Sequence, residues 1–126
     1  MSRPVAISLF SGAGGLDIGL EMAGFELSAC VEFDLVRCST LRANRPGWNV
    51  IHSDVRDLSA EDLLSASGAS EVDLLAAGPP CQPFSKSAYW VTAGKVLDAE
   101  RAQLIFQPVR LAEDLDAKSV LIENVP

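Results

Sequence analysis

The sequence lacks several features that would place it in a membrane or outside the cell. No apolar run approaches the roughly 20 residues that a membrane-spanning helix needs. The first residues, 1–4, lead straight into a strand-like segment, and we identify no signal peptide. There are no repeats, low-complexity tracts or linkers. With 126 residues, 48% of them hydrophobic, the chain is expected to form one cytoplasmic α/β domain with a real core and no membrane partner.

Cysteine and histidine are scarce, which argues against a metal site and against a disulfide framework. The three cysteines are Cys30, Cys38 and Cys81, and they lack zinc-type or Cys-x-x-Cys spacing. Reduced thiols are therefore expected. Cys30 and Cys38 lie in apolar surroundings and are interpreted as inert packing residues. The single histidine, His52, is interpreted as structural, so no metal ligand set is predicted.

Positive charge is also scarce. The net charge is −7, and the ten basic residues are scattered rather than clustered. A protein that binds a nucleic-acid backbone unaided usually has a basic face. The composition alone does not suggest DNA binding, and any such function would need most of its contacts from elsewhere.

Strand-like and helix-like segments alternate along the chain. Buried strands are predicted at residues 5–10, 26–31, 48–52, 72–77 and 118–122. Helices are predicted from Leu16 to a stop at Gly24, from an Asp34 cap to about residue 44, from a Ser59 cap to Gly68, and over 99–115, where Pro108 kinks or divides the last one. This order predicts a doubly wound parallel sheet, which binds ligands at the carboxyl ends of its strands.

The most informative segment is Gly78-Pro79-Pro80-Cys81-Gln82-Pro83-Phe84-Ser85, directly after the fourth predicted strand. Three prolines in five positions exclude a helix or a central strand. The segment is therefore a stiff loop that holds one cysteine at the end of a buried strand. A cysteine that only packs needs no such frame, and we interpret Cys81 as a catalytic nucleophile.

Other polar or glycine-rich residues follow the remaining strands. Residues 11–15 form a glycine-rich turn, but Asp17 occupies the third glycine position of the dinucleotide pattern. Glu32 ends the second strand, where doubly wound folds often bind ribose hydroxyls. Asp54 follows the third strand. Each carboxylate could instead be a solvated loop residue, but together they suggest an adenosine-type ligand.

Three blocks together resemble the DNA (cytosine-5) methyltransferases: Phe10-Ser11-Gly12-Ala13-Gly14-Gly15, the Cys81 loop, and Glu123-Asn124-Val125. The resemblance spans residues 5–126. It implies a Rossmann-like methyltransferase fold, S-adenosylmethionine as cofactor, and a cytosine flipped out of the DNA stack. It also implies a cytoplasmic prokaryotic protein of a restriction-modification system.

The resemblance assigns roles to individual residues. Cys81 would attack C6 of cytosine, Glu123 would protonate or hydrogen-bond ring N3, and Asn124 and Pro80 would fix the geometry. The implied cofactor contacts are Phe10, Ser11, Gly12, Ala13, Gly14, Gly15, Leu16, Glu32, Phe33, Asp54, Val55, Pro80 and Leu104. The implied mobile loop over DNA, residues 85–98, follows Gln82 and contains Ser85, Lys86, Tyr89 and Lys95.

Two departures from the family pattern shape the expectations. Ser8 stands where many members carry Asp near the amino acid group of the cofactor. The sequence also ends at the Glu-Asn-Val block, without the Arg-containing strand, the target-recognition domain and the C-terminal segment of the family. We therefore expect a partial catalytic domain over 1–126, a fragment or one chain of a split enzyme, inactive alone. Its fifth strand would be an exposed edge that pairs with a complementing chain or with itself.

Two alternatives stay open beside this hypothesis. The chain could be an S-adenosylmethionine-binding remnant that no longer catalyses. It could also be an oxidoreductase on a dinucleotide fold, but Asp17 disfavours that pattern and such an enzyme gives Cys81 and Glu123 no role.

Overall fold

The structure, a computed structural model, describes residues 2–79 and 104–124. Within them lies a parallel five-stranded sheet of order β3-β2-β1-β4-β5. The strands are β1 Val5–Leu9, β2 Glu26–Glu32, β3 Val50–His52, β4 Leu74–Ala77 and β5 Ser119–Ile122. The helices are α1 Gly15–Met22, α2 Leu35–Asn44, α3 Ala60–Ser67 and α4 Gln107–Leu115, with a 3-10 turn at Val55–Asp57. The predicted α/β fold with a doubly wound parallel sheet is confirmed.

Short-range signals in the sequence begin and end the first three helices as predicted. The Asp34 side chain accepts a hydrogen bond from the Arg37 amide and caps α2. Ser59 caps α3 through a complete capping box, in which the side chains of Ser59 and Asp62 each accept the other's backbone N–H. Gly24 and Gly68 adopt positive φ just beyond α1 and α3, where glycine avoids the strain of a left-handed conformation.

Several predicted elements differ in extent from the structure; the fourth strand, for example, begins at Leu74 and not at residue 72. The helix expected over 99–115 is described only from residue 104 onward, and there α4 begins at Gln107 with Pro108 in its first turn. Residue 104 is helical and residues 105–106 form a turn, so the segment is divided, as one of the two expectations had it, and is not kinked. Pro108 lies in the first turn of the new helix, where a residue needs no amide hydrogen bond. The third strand begins at Val50 and not at Trp48, because the Trp48 amide donates to the Arg45 carbonyl in a turn.

The sheet is covered on both faces. Ile7 and Leu9 of β1 belong to a buried cluster with Leu63 of α3 and Leu111 of α4. Ala6, the alternate β1 residue, belongs to a second cluster with Leu20 of α1. Because successive strand residues point to opposite faces, the apolar run of β1 is buried on both. In the described ranges, no helix is long and apolar enough to cross a membrane.

Strand β5 forms one edge of the described sheet. It pairs with β4 on one side, and the described residues place no strand on its other side. Its apolar side chains Val120, Leu121 and Ile122 are 45%, 41% and 38% exposed. Val120 and Ile122 line a groove against Val109 of α4. This edge therefore leaves apolar surface and backbone groups uncovered.

Candidate functional site at the carboxyl edge of the sheet

The carboxyl ends of the strands meet at one edge of the sheet, which we call the carboxyl edge. Backbone hydrogen bonds just beyond the strands join neighbouring chain segments there. They run from Ser11 N to Val31 O at 3.2 Å, Ser53 N to Glu32 O at 3.1 Å, Gly78 N to Leu9 O at 3.4 Å and Glu123 N to Ala77 O at 2.9 Å. The edge thus brings together the predicted glycine turn, Glu32, Asp54, the start of the Cys81 loop and Glu123. The strand order reverses between β1 and β4, the place where sheets of this type bind ligands.

The glycine turn, residues 10–15, connects β1 to α1. Phe10 has φ 56°, a strained conformation for a residue with a side chain, and such strain concentrates at functional sites. Gly12 has φ 59°, and no atom of the part of the chain that the structure describes lies within 4 Å of the position that a Cβ would take there. Within residues 2–79 and 104–124, no side chain caps the N-terminus of α1. The turn therefore presents open backbone and helix amides that a ligand can approach.

The opposite side of the turn is tightly packed. A Cβ on Gly14, where φ is 90°, would lie 2.9 Å from Leu41 Cδ2 and 3.2 Å from Trp48 Cζ3. The Trp48 ring is held by its Nε1, which donates to Glu21 Oε2 at 2.8 Å, and by the Arg45 guanidinium 5.6 Å from the ring centroid. Only glycine fits at position 14 without a rearrangement of these side chains.

Glu32 is buried, and each of its carboxylate oxygens accepts one backbone hydrogen bond. Its side chain is 5% exposed, and Oε1 accepts from Gly12 N at 2.9 Å while Oε2 accepts from Asp34 N at 2.7 Å. The interpretation as a solvated loop carboxylate is therefore wrong. The carboxylate fastens the glycine turn to the start of α2. The neighbouring Phe33 is 68% exposed and leaves an aromatic ring at the same edge.

Asp54 begins the 3-10 turn after β3. Its Oδ1 accepts from Arg56 N at 2.9 Å, and its Oδ2 forms a 2.6 Å ion pair with the Arg56 guanidinium. These bonds to Arg56 lower the pKa of Asp54. Val55, the first residue of that turn, is buried in the core. Arg110 of α4 donates to the carbonyls of Val55 at 3.2 Å and Leu58 at 3.1 Å and secures the turn.

Glu123 follows β5 with an exposed side chain. Its Oε2 lies 3.7 Å from where a Cβ on Gly78 would stand, beside the first residue of the Cys81 loop. Asn124 is half-buried next to it. The structure therefore places Glu123 at the base of that loop.

The remaining residues named in the sequence analysis differ in their exposure, where the structure describes them. Ser11 and Gly14 are buried, Leu16 and Leu104 are half-buried, and Ala13 and Gly15 are exposed. Cys30 and Cys38, interpreted as packing residues, are both buried. The following lie outside the described residues: Pro80, Cys81, Gln82, Ser85, Lys86, Tyr89, Lys95 and loop 85–98.

Sequence reasoning missed two residues that support this edge. Trp48 donates a hydrogen bond to Glu21, which is 27 positions away in the sequence. Arg110 donates to the carbonyl of Val55, which is 55 positions away. No local pattern signals such long-range contacts. They follow only from the sheet topology, which brings the α2–β3 connection and α4 beside the turns that carry the site.

Comparisons with known proteins agree on one family. The family model of the C-5 cytosine-specific DNA methylases matches residues 5–126. The chain is 43% identical over 121 residues to the Type II methyltransferase M.NgoMIV of Neisseria gonorrhoeae, covering 95% of the chain and 35% of that protein. It is 46% identical over 121 residues to M.PspPI of Psychrobacter sp. strain TA137, covering 94% and 26%.

A solved structure of similar fold is a crystal structure described as that of a DNA modification methyltransferase encoded within a prophage (E. coli). It superposes with a TM-score of 0.82 at 35% identity, covering 98% of this chain and 32% of that one. The chain thus spans about a quarter to a third of the length of these relatives. Because the match covers residues 5–126, it includes every segment of the carboxyl edge. The chain belongs to the C-5 cytosine-specific DNA methylase family.

Proposed function

We propose that residues 1–126 form the cofactor-binding and catalytic part of a DNA (cytosine-5) methyltransferase that uses S-adenosylmethionine. The observation that supports it most is the convergence at the carboxyl edge of the glycine turn, the buried Glu32 and Glu123. The glycine turn offers backbone to a ligand, and Glu123 lies at the base of the loop that carries Cys81. This arrangement supports a cofactor site that adjoins the proposed catalytic residue Glu123.

The residues present fit this cofactor. The face of Gly12 is open, and the α1 amides lack a side-chain cap. A carboxylate has about four acceptor sites, and Glu32 uses two of them for Gly12 and Asp34, which leaves capacity for ribose hydroxyls. The residues that would hold the cofactor are those predicted above: Phe10, Ser11, Gly12, Ala13, Gly14, Gly15, Leu16, Glu32, Phe33, Asp54, Val55, Pro80 and Leu104. When bound, S-adenosylmethionine supplies an electrophilic methyl group.

The catalytic residues of this chain would prepare the cytosine to receive that group. Cytosine C5 is a poor nucleophile, and attack of the Cys81 thiolate on C6 makes it enamine-like. Glu123 would donate a proton or hydrogen bond to N3, which favours the attack, while Asn124 and Pro80 would orient the base. After C5 carries the methyl group, a base removes the C5 proton, the C6–sulfur bond breaks and the thiolate leaves.

Cofactor binding is tested by calorimetry on the 126-residue chain with S-adenosylmethionine and, separately, NAD. We expect S-adenosylmethionine to bind and NAD not to bind. Binding of NAD alone would replace the proposal with an oxidoreductase function. Glu32→Ala should weaken S-adenosylmethionine binding by roughly ten- to a hundredfold, because a charged hydrogen-bond acceptor is lost. Unchanged affinity would remove Glu32 from the site.

We further propose that the chain acts together with other segments that bind DNA. The net charge is −7, and Arg45, Arg56 and Lys118 already pair with carboxylates, so these side chains are poorly available for phosphates. The exposed apolar strand β5 fits pairing with a complementing chain or with a second copy.

The catalytic proposal is tested by mixing the chain with the C-terminal two thirds of a relative such as M.NgoMIV and measuring methyl transfer to mixed-sequence DNA. We expect Cys81-dependent transfer, and covalent trapping on 5-fluorocytosine DNA, where fluorine blocks the last elimination. Cys81→Ser should abolish both, and Cys30→Ser is the matched control. Trapping in the Cys81→Ser chain would refute the nucleophile assignment. Cofactor binding without any transfer would favour a non-catalytic S-adenosylmethionine-binding module.

A further inference from the structure

Asp17, in the first turn of α1, is a buried carboxyl group that the proposed chemistry does not use. The residue is 0% exposed, so its carboxyl group lies beneath the surface that a ligand would approach. Its Oδ1 accepts a hydrogen bond from the Ser8 hydroxyl, and its Oδ2 has no hydrogen-bond partner in the described residues. Carboxyl groups are almost never buried so completely unless they are paired. This burial is costly, and an apolar residue would avoid the cost.

The carboxyl group belongs to a directed chain of hydrogen bonds. Ser8 has a single hydroxyl proton and gives it to Asp17, so at the 3.0 Å contact between Ser8 Oγ and Ser11 Oγ it is Ser8 that accepts. The order is therefore Ser11 to Ser8 to Asp17. Ser11 also carries the glycine turn, because its carbonyl accepts from Gly14 N at 2.9 Å and its amide donates to Val31 O.

We infer that Asp17 is a positioning residue of the cofactor site, which acts through Ser8 to fix Ser11 and with it the glycine turn. The inference rests on the proposed function, since it concerns the turn assigned to S-adenosylmethionine. It also joins two residues that the sequence marks as unusual, Ser8 in β1 and Asp17 in α1, into one interaction. Burial raises the pKa of Asp17, and the nearby Ser8, Ser11 and Cys30 side chains oppose that shift because they favour the charged form. Among the described residues, none gives Oδ2 a hydrogen bond of regular geometry.

Three variants of the full chain separate positioning from mere stability. Asp17→Ala removes the acceptor and should weaken S-adenosylmethionine binding roughly tenfold, as the loss of one hydrogen bond can. Asp17→Asn keeps an acceptor for Ser8 and should restore affinity to within about threefold of the unmodified chain. Ser28→Ala is the control, because the Ser28 hydroxyl bonds the Ala6 carbonyl away from the turn.

A double-mutant cycle tests the path of the effect. If Asp17 acts through Ser11, the Asp17→Ala and Ser11→Ala double variant loses no more affinity than the larger single loss. Additive losses would overturn the inference. So would an Asp17→Ala chain that binds S-adenosylmethionine as tightly as the unmodified one, or an Asp17→Asn chain that is not restored.

Amide hydrogen exchange gives a reading that does not depend on the cofactor. In the ligand-free Asp17→Ala chain, exchange at Gly14 and Ser11 should accelerate relative to Ser28→Ala, since these amides report the turn. Unchanged exchange would overturn the inference even if the chain binds cofactor. The two proposals can fail separately. If exchange is faster in the Asp17→Ala chain but the unmodified chain does not bind S-adenosylmethionine, the role of Asp17 in the turn is supported and the proposed function is refuted.

Discussion

The three glycines of the turn, Gly12, Gly14 and Gly15, have different surroundings. Replacing each by alanine should therefore distinguish a loss of stability through overpacking from a loss of ligand binding through a blocked backbone. Gly14→Ala places a Cβ at φ 90° and 2.9 Å from Leu41 Cδ2. A left-handed backbone costs roughly 1–2 kcal/mol for a residue with a side chain, and overpacking costs a further 1–3 kcal/mol or so. The expected loss in the free energy of unfolding is therefore about 2–5 kcal/mol, measured by urea denaturation.

Gly12 and Gly15 are matched controls in the same turn. Gly12→Ala meets no atom within 4 Å but keeps φ 59°, so it should lose only about 1–2 kcal/mol of stability. Its methyl group enters the open face of the turn and should weaken S-adenosylmethionine binding more than tenfold or so. Gly15 has neither a positive φ nor a contact, and Gly15→Ala should stabilise the chain by about 0.4–1 kcal/mol. A Gly14→Ala chain as stable as Gly15→Ala would refute this reasoning.

Three further predictions concern stability. Ser59→Ala should cost about 1 kcal/mol in urea denaturation because the capping box is lost, whereas exposed Ser65→Ala in the same helix should be nearly neutral. Trp48→Phe keeps the ring against the turn but loses the bond to Glu21, and should cost about 1 kcal/mol; an unchanged midpoint would contradict that role for the indole N–H. Burial raises the pKa of Asp17, so its contribution to stability is present below its ordinary pKa and is lost as pH rises through the raised value. Asp17→Asn should therefore gain thermal stability relative to the unmodified chain as the pH rises, and a constant difference would contradict the burial of a titrating group.

The sequence predicted what local chemistry determines. Caps such as Ser59, the glycines after α1 and α3 and the order of apolar segments defined the helices, the parallel sheet and the edge that carries the site. It did not predict contacts between distant segments, such as Trp48 against Gly14, because these depend on how α2 and β3 fold back onto the turn. Glu32 was identified as a site residue, but its two backbone bonds could not be foreseen from its position alone.

The two hydrogen bonds that Glu32 accepts from backbone amides have a consequence for the entropy of ligand binding. Fixing a flexible glutamate side chain costs up to about 2 kcal/mol of conformational entropy, and here folding has already met that cost. A ribose that donates to this carboxylate meets an acceptor already held by two hydrogen bonds, so binding need not order that side chain. The entropy of binding then reflects the ligand and displaced water more than the protein.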